Sequence, residues 1–338
     1  MRVGLIGLGA IANMHARAYA NIGFTIPVCT THNREAGRRF AAQHGSVFVD
    51  TYEEVCSHPD VDFVDVCTFP DFRLQPLEVC AAHGKHIQVQ KPMAIDLATA
   101  RRMIEAAAAA NIQLGVVSQH RFDAASEFMQ RALREGRLGT LLQCDAYVKW
   151  HRSDAYYARP VKGSWATEGG GALINQAIHQ VDLLRWLAGP VAEVFAIWKI
   201  GAAHAIESED MVTALLRYES GVTGVIQAST AFWPGYPERI EFHGTRGTAV
   251  ITGDRLTTWD VRDDGNHPDR APLQDQPASG ASDPMAISVE TFERQFLDFG
   301  EAIRTGRKPR VGGEEGYQAL EVVDAIYRSC RTGDKVAL

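Results

Sequence analysis

The sequence predicts an α/β protein in two parts, a doubly wound parallel sheet followed by an α+β region built on a large, open, mainly antiparallel sheet. Three observations carry this. Residues 1–120 alternate short apolar runs with longer segments of helical period, the pattern of βαβ units. Within residues 121–338 strand-like runs instead follow one another with turn residues between them, as antiparallel neighbours do. A chain of 338 residues, 46% hydrophobic and 22% charged, is also long enough for two cores.

The elements follow in order. RVGLIG is the first strand and a helix starts at Ile11; FTIPVC is the second strand, with a helix from Arg34. VDFVDVCT, HIQVQ and IQLGVV are further strands, with helices from Leu74 and Leu97 between them. The alanine run at 106–110 is a tightly packed piece of that last helix, because alanine is the best helix former. In the second part a helix over 124–135 precedes a strand over 142–150, a stretch rich in Tyr, Trp and Gly, and a helix over 172–187. The strands VAEVFAIWKI, MVTALLRY, VTGVIQAST, ERIEFHG and GTAVITG come next. Residues 262–284, rich in Asp, Pro, Gly and Ser, read as a long surface loop, and two helices over 289–305 and 314–332 close the chain.

Composition narrows the function classes. A net charge of −7 gives no basic field to hold a polyanion, so nucleic acid is not an expected partner. No apolar run is long enough for a membrane span, and the N-terminus reads straight into a structured pattern rather than a signal peptide. Six cysteines without a CxxC pair fit reduced core thiols, which points to the cytoplasm. No His/Cys/Asp cluster has metal-ligand spacing, so no metal is expected. The alternating strands of the second half leave a face that suits a homo-oligomer, dimer or tetramer.

The string Gly7-Leu8-Gly9-Ala10-Ile11-Ala12 ends the first strand and opens the first helix. There Gly7 allows a tight turn, Gly9 lets the backbone approach a pyrophosphate, and Ala12 allows close helix-to-strand packing, while the helix N-terminus faces the phosphates. The first part therefore reads as a Rossmann dinucleotide-binding domain. An NAD site usually carries an acid about 20 residues further on, yet none occurs before Glu35. Thr30, Thr31, His32 and Arg34 stand there instead, and a guanidinium suits a 2′-phosphate, so NADP is preferred over NAD.

Three motifs together carry a family resemblance: GLGAIA, then AHGKH running into VQKP around Lys91, then GGGALINQAIH ending at His179. In order and spacing the chain resembles the Gfo/Idh/MocA oxidoreductases over essentially its whole length. The resemblance implies that Lys91 lies beside the nicotinamide and stabilises a developing alkoxide. It implies that His179 is the general acid/base, with Asn175, where the family has Asp, one turn earlier. On one continuous helix Asn175, His179 and Asp182 share a face. Thr68, Phe69 and Gln90 are expected to border the cofactor. Two departures stand out: Gln90 replaces the family's Glu, removing a carboxylate that would tune Lys91, and Arg73 replaces a cofactor-side His.

Arg121, Lys149, Trp150, His151, Tyr156, Tyr157, Arg159, Lys162 and Trp165 are candidate substrate contacts, with Asn175 and His179 beside them, since aromatic faces and hydrogen-bonding tips suit a polyhydroxylated ring and basic groups suit an acidic or phosphorylated one. The resemblance thus implies hydride transfer between a nicotinamide and a hydroxyl or carbonyl carbon of a sugar, cyclitol or sugar derivative. Two alternatives stay open: a redox-neutral enzyme with tightly held nucleotide, and a nucleotide-binding regulator that does not turn over.

Overall fold

The structure, a computed structural model, describes residues 1–159, 161–265, 267–274, 279–281 and 288–338. The chain forms two compact units, residues 1–119 with 288–317, and residues 120–287 with 318–338.

The first unit runs β1 (Arg2–Ile6), α1 (Ala10–Asn21), β2 (Thr25–Thr30), α2 (Arg34–His44), β3 (Val47–Phe48), α3 (Tyr52–Ser57), β4 (Phe63–Val66), α4 (Leu74–Ala82), β5 (His86–Val89), α5 (Leu97–Ala109) and β6 (Leu114–Val116). Its six strands are ordered β3-β2-β1-β4-β5-β6 and every pairing is parallel. The order reverses between β1 and β4, and the loops at those strand ends flank the crevice where such sheets bind nucleotides. In this unit β3 and α3 were not expected from the sequence, and in the second unit neither were the short helices α7 (Asp154–Tyr157) and α8 (Trp165–Glu168) or the strands β13 (Arg255–Val261) and β14 (Val336–Ala337). β3 has two residues and α3 six, too few for a period to emerge, although the Thr51/Glu54 capping box that starts α3 is a local signal.

Residues 288–317 complete this unit. In α11 (Glu290–Thr305), Phe292, Phe296 and Phe299 are spaced four and three apart, so they share one face, and all three are buried. Phe292 and Phe296 lie against the His15 ring, Phe296 stacks on Tyr19, and Phe299 meets Phe63 edge-on. Burying each such ring contributes about 2–3 kcal/mol. Gln295 fastens the same helix to the end of β6, donating to the Val116 carbonyl at 2.8 Å and accepting from the Ser118 amide at 3.1 Å.

The second unit holds α6 (Ala124–Arg134), β7 (Leu141–Lys149), the short helices α7 (Asp154–Tyr157), α8 (Trp165–Glu168) and α9 (Ala172–Asn175), and then α10 (Ile178–Ala188). β8 (Val191–Ile200), β9 (Glu209–Tyr218), β10 (Thr223–Ser229), β11 (Arg239–Gly244), β12 (Gly247–Thr252) and β13 (Arg255–Val261) follow, and α12 (Gly313–Thr332) leads into β14 (Val336–Ala337). The eight-stranded sheet is ordered β13-β12-β11-β7-β10-β9-β8-β14. All its pairings are antiparallel except β7 with β10, so the sheet is mixed and mainly antiparallel. Along β8 and β9 the pattern alternates: Val194, Ala196, Val212, Ala214 and Leu216 are buried, while Phe195, Ile197 and Leu215 are exposed.

The helix expected over 172–187 is broken. The Ala177 amide bonds the Ala172 carbonyl five residues back, and α10 restarts with Ala177 as its N-cap. Nothing in the sequence marks this, because Gln176 and Ala177 are both tolerated inside helices. The expected surface loop over 262–284 lies partly outside the described residues. Its described parts are fastened to the sheet unit: Arg137 holds Asp264 and the Asp269 carbonyl, and Arg152 holds the Gly280 and Ala281 carbonyls.

Candidate functional site

In the first unit the GLGAIA segment spans the β1-to-α1 turn. Gly7 has φ +86°, and a Cβ there would lie 3.0 Å from the Thr68 amide, so the close approach to the end of β4 requires glycine. Gly9 is the N-cap of α1 and supplies no side-chain cap, no acidic residue stands in the first turn, and a Cβ on Gly9 would meet nothing within 4 Å. Bare helix-terminal amides facing open space suit a pyrophosphate. Leu8, Ala10 and Ile11 line the turn, and Ala12 is fully buried against the sheet.

At the end of β2, Thr30 is buried and its hydroxyl donates to the Val49 carbonyl at 2.8 Å, whereas His32 and Arg34 are exposed and Thr31 half-buried. Arg34 pairs with Asp50 at 2.9 Å. Along the chain no acid stands at the end of β2. Asp50 reaches the same place from the end of β3.

Arg73 is buried, with 3% of its surface exposed. Its guanidinium donates to the Thr68 carbonyl at 3.2 and 2.6 Å and to the carbonyls of Gln90 and Pro92. One side chain thereby ties the loop after β4, which carries Thr68 and Phe69, to the loop after β5, which carries Lys91. Beneath that second loop is a buried polar chain. Asp65 takes hydrogen bonds from His15 Nδ1 at 2.6 Å and from the Tyr19 hydroxyl at 2.8 Å. With Nδ1 donating, His15 Nε2 accepts from the Gln90 amide nitrogen at 2.7 Å, and Gln90 Oε1 accepts from the Lys91 backbone amide at 3.2 Å. Gln90 is therefore held at both ends, and the carboxylate absent from position 90 is present one imidazole away, at Asp65.

In the second unit, Asn175 ends α9 and donates to Glu168 Oε1, while His179 lies in the first turn of α10. Glu168, buried, also receives the Gly163 amide at 2.8 Å and the Lys162 ammonium. The helix break parts Asn175 from the face expected for it with His179 and Asp182, which stay three apart on α10, and the three side chains have different partners. Asp182 is engaged by Arg121 through two bonds of 2.8 and 2.5 Å, with both side chains about 5% exposed. Arg121, expected among the substrate contacts, is thus turned into the interior, since a buried guanidinium needs a carboxylate partner. His179 instead meets the His120 ring edge-on, 4.9 Å between centroids. His120 Nδ1 bonds Asp123 at 2.7 Å; burial opposes its charge, but the Asp123 carboxylate outweighs this and holds His120 above the ordinary histidine pKa. His120 and Asp123 were not singled out from the sequence, although the spacing of three in QHRFD was a usable signal.

The glycine run before α9 has a packing cause. A Cβ on Gly171 would lie 1.9 Å from the Glu209 carbonyl oxygen. The Glu209 carboxylate accepts from the Gly171 amide at 2.9 Å, the Leu173 amide at 2.8 Å and the Tyr327 hydroxyl at 2.9 Å. Burial outweighs these donors and pushes its pKa up to about 7. Glu209 was missed because its partners lie some 40 and 120 residues away in the chain.

The remaining candidates separate. Lys149 lies over the Tyr147 ring, and the Trp150 indole donates to Glu238 at 3.2 Å. Trp165 packs with Trp198 and Tyr327 and donates to Glu207, a scaffold position. His151 and Tyr156 line a common pocket.

Known proteins match this arrangement throughout. Residues 1–118 match the model of an oxidoreductase family with an NAD-binding Rossmann fold, and residues 127–250 match the GFO/IDH/MocA C-terminal domain. Myo-inositol 2-dehydrogenase of Thermotoga maritima is 29% identical over 351 aligned positions, covering 100% of this chain and 98% of that protein. The 1,5-anhydro-D-fructose reductase of Ensifer adhaerens is also 29% identical, over 98% of this chain and 97% of its own length. The solved structure of the WlbA dehydrogenase from Bordetella pertussis, in complex with NADH and UDP-GlcNAcA, superposes with a TM-score of 0.90 at 30% identity, covering 100% of this chain and 97% of that one.

Proposed function

From the premise that this chain belongs to the Gfo/Idh/MocA family of NAD(P)-dependent oxidoreductases acting on sugars, cyclitols and their derivatives, we propose how its residues divide the reaction. Gly7, Gly9 and the α1 N-terminus hold the pyrophosphate, with Leu8, Ala10, Ile11, Thr68 and Phe69 forming the surrounding wall and the buried Ala12 letting α1 pack close. The nicotinamide, when bound, accepts hydride from a carbinol carbon or returns it to a carbonyl. Lys91 stabilises the alkoxide through its ammonium, a role that strengthens where water is excluded. Its approach is set by Gln90, which His15 orients, and by the Arg73 clamp. His179 takes or gives the hydroxyl proton, with His120 packed against its ring. Asn175 orients this segment through Glu168.

NADP is our preferred cofactor on the strength of Arg34, which suits a 2′-phosphate. The Arg34–Asp50 pair favours a second reading, in which Asp50 takes the ribose hydroxyls of NAD. We place the enzyme in the cytoplasm, consistent with six unpaired thiols; no helix among the described residues is long and apolar enough to cross a membrane. Exposed Phe195 and Leu215, directly opposite each other on β8 and β9, support a homo-oligomer formed through the sheet.

The observation that carries the redox reading is the pairing of an open, uncapped α1 N-terminus with a lysine held from both sides at the end of β5. Nucleotide extraction with NADP and NAD titration, followed by a sugar panel read by reduced-nicotinamide absorbance, tests it. Free reduced nucleotide supports the dehydrogenase. Product without an absorbance change means a redox-neutral enzyme, and nucleotide binding without any turnover means a regulator.

A further inference from the structure

The second unit carries a pocket whose chemistry narrows the substrate. The parallel strands β7 and β10 end side by side: the Trp150 and Arg152 amides donate to the Ser229 and Thr230 carbonyls at 2.9 Å, and the Phe232 amide returns to Trp150 at 3.0 Å. The loops leaving them form an open, solvent-facing pocket of about 630 Å³, the size of a small-ligand site. His151, Arg152, Tyr156, Arg159 and Trp233 contribute its charged and aromatic lining, and no described Asp or Glu lines it.

Its cations are differently held. Arg152, 5% exposed, donates to the carbonyls of His151 and Ala281 at 2.9 Å and Gly280 at 3.0 Å. Arg159 is exposed, stands 5.3 Å from the Tyr156 ring centroid, and has no carboxylate partner among the described residues. Trp233 is 78% exposed, with the His151 ring edge-on at 5.1 Å. The exposed Trp233 indole offers a face to a sugar ring, and the exposed Arg159 offers a guanidinium to an oxyanion.

The pocket also adjoins the segment that carries His179. The Tyr156 hydroxyl accepts from Gln176 Nε2 at 3.2 Å, three residues before His179, and the buried Gln176 Oε1 has no partner among the described residues.

We propose that this pocket binds the anionic group, carboxylate or phosphate, of an acidic carbohydrate, with Arg159 as its charge partner and Trp233 as the face for the ring. This names the substrate class of the oxidoreductase proposed above and rests on that reading for its catalytic consequence, though not for binding.

The test uses the purified full chain with nucleotide present and, as probes, D-glucose, D-glucuronate and D-glucose 6-phosphate. Dissociation constants come from calorimetry and turnover from reduced-nicotinamide absorbance, for the wild type, Arg159→Gln and Arg159→Lys. The expected result is that at least one acidic probe binds about tenfold or more tighter than glucose at low salt. Arg159→Gln then lowers that acid-to-neutral ratio about tenfold, while Arg159→Lys retains part of it. The acid that binds tighter separates a carboxylate site from a phosphate site. Equal binding of all three probes, or a ratio unmoved by Arg159→Gln, overturns the proposal. Selective acid binding without hydride transfer on any probe upholds the pocket and counts against the oxidoreductase reading. Turnover of glucose with indifference to charge does the reverse.

Discussion

The two units hold their functional residues by opposite means. In the first, Lys91 is positioned from beneath by a chain of neutral or internally balanced groups, Gln90, His15 and Asp65, and by Arg73, whose guanidinium spans two strand-end loops. In the second, the segment running into His179 hangs from two buried carboxylates, Glu168 and Glu209, that reach backbone amides and side chains from elsewhere in the unit. The first arrangement fixes an angle of approach. The second fixes a break between two helices, and its security depends on the charge state of a buried acid.

The comparison breaks most visibly at Arg73. Arg73→Ala leaves three strand-end carbonyls without their donor and is expected to cost about 3 kcal/mol or more, read as a lowered denaturant midpoint with unchanged slope. Arg73→Lys recovers only part, because an ammonium cannot span the same acceptors as a fork. A loss under 1 kcal/mol for Arg73→Ala would mean the clamp is incidental.

Glu209→Gln comes next, at about 1–2 kcal/mol, since one amide loses its acceptor. The effect carries a pH signature. The folded pKa near 7 lies above the ordinary 4.5, so between these values folding retains a proton that the unfolded chain has released, and wild-type stability falls as pH rises through this window. The deficit of Glu209→Gln relative to wild type should therefore be largest near pH 5, vanish or reverse by about pH 7 and change little above it. A deficit that widens with pH contradicts the assignment.

A smaller effect is expected at Gln90. In Gln90→Glu a second carboxylate faces His15 opposite Asp65 and stands beside Lys91, favouring the charged forms of both. Nucleotide affinity should hold while the alkaline limb of the turnover profile moves to higher pH; an unmoved limb means position 90 does not tune Lys91. Smallest is Arg34→Ala, expected to weaken NADP by about tenfold or less and NAD by less, as for an exposed charge. Equal losses for the two nucleotides favour Asp50 as the discriminating group.

What was legible in the sequence is what is local. The GLGAIA string stood out because Gly7, Gly9 and Ala12 fall within one short segment, and the alternation of residues 1–120 marked the parallel strands, whereas the hold on Lys91 was hidden because His15 and Arg73 reach Gln90 from 75 and 17 residues away. The anchoring of His179 was not legible. Glu209 meets Gly171 and Tyr327 across long separations, the α9/α10 break falls on residues that suit a helix, and Arg121 looked like a ligand contact until its carboxylate was found at Asp182. Asp50, likewise, reaches Arg34 only because β3 lies beside β2 in the sheet.

The most direct test of the account compares wild type, Lys91→Ala and His179→Ala, once a turned-over sugar is in hand, by single-turnover appearance of reduced nicotinamide and by nucleotide titration. The account predicts that both variants bind nucleotide as the wild type does within about threefold, while the rate of hydride transfer falls about a hundredfold or more in each. Wild-type rates in either variant would contradict it.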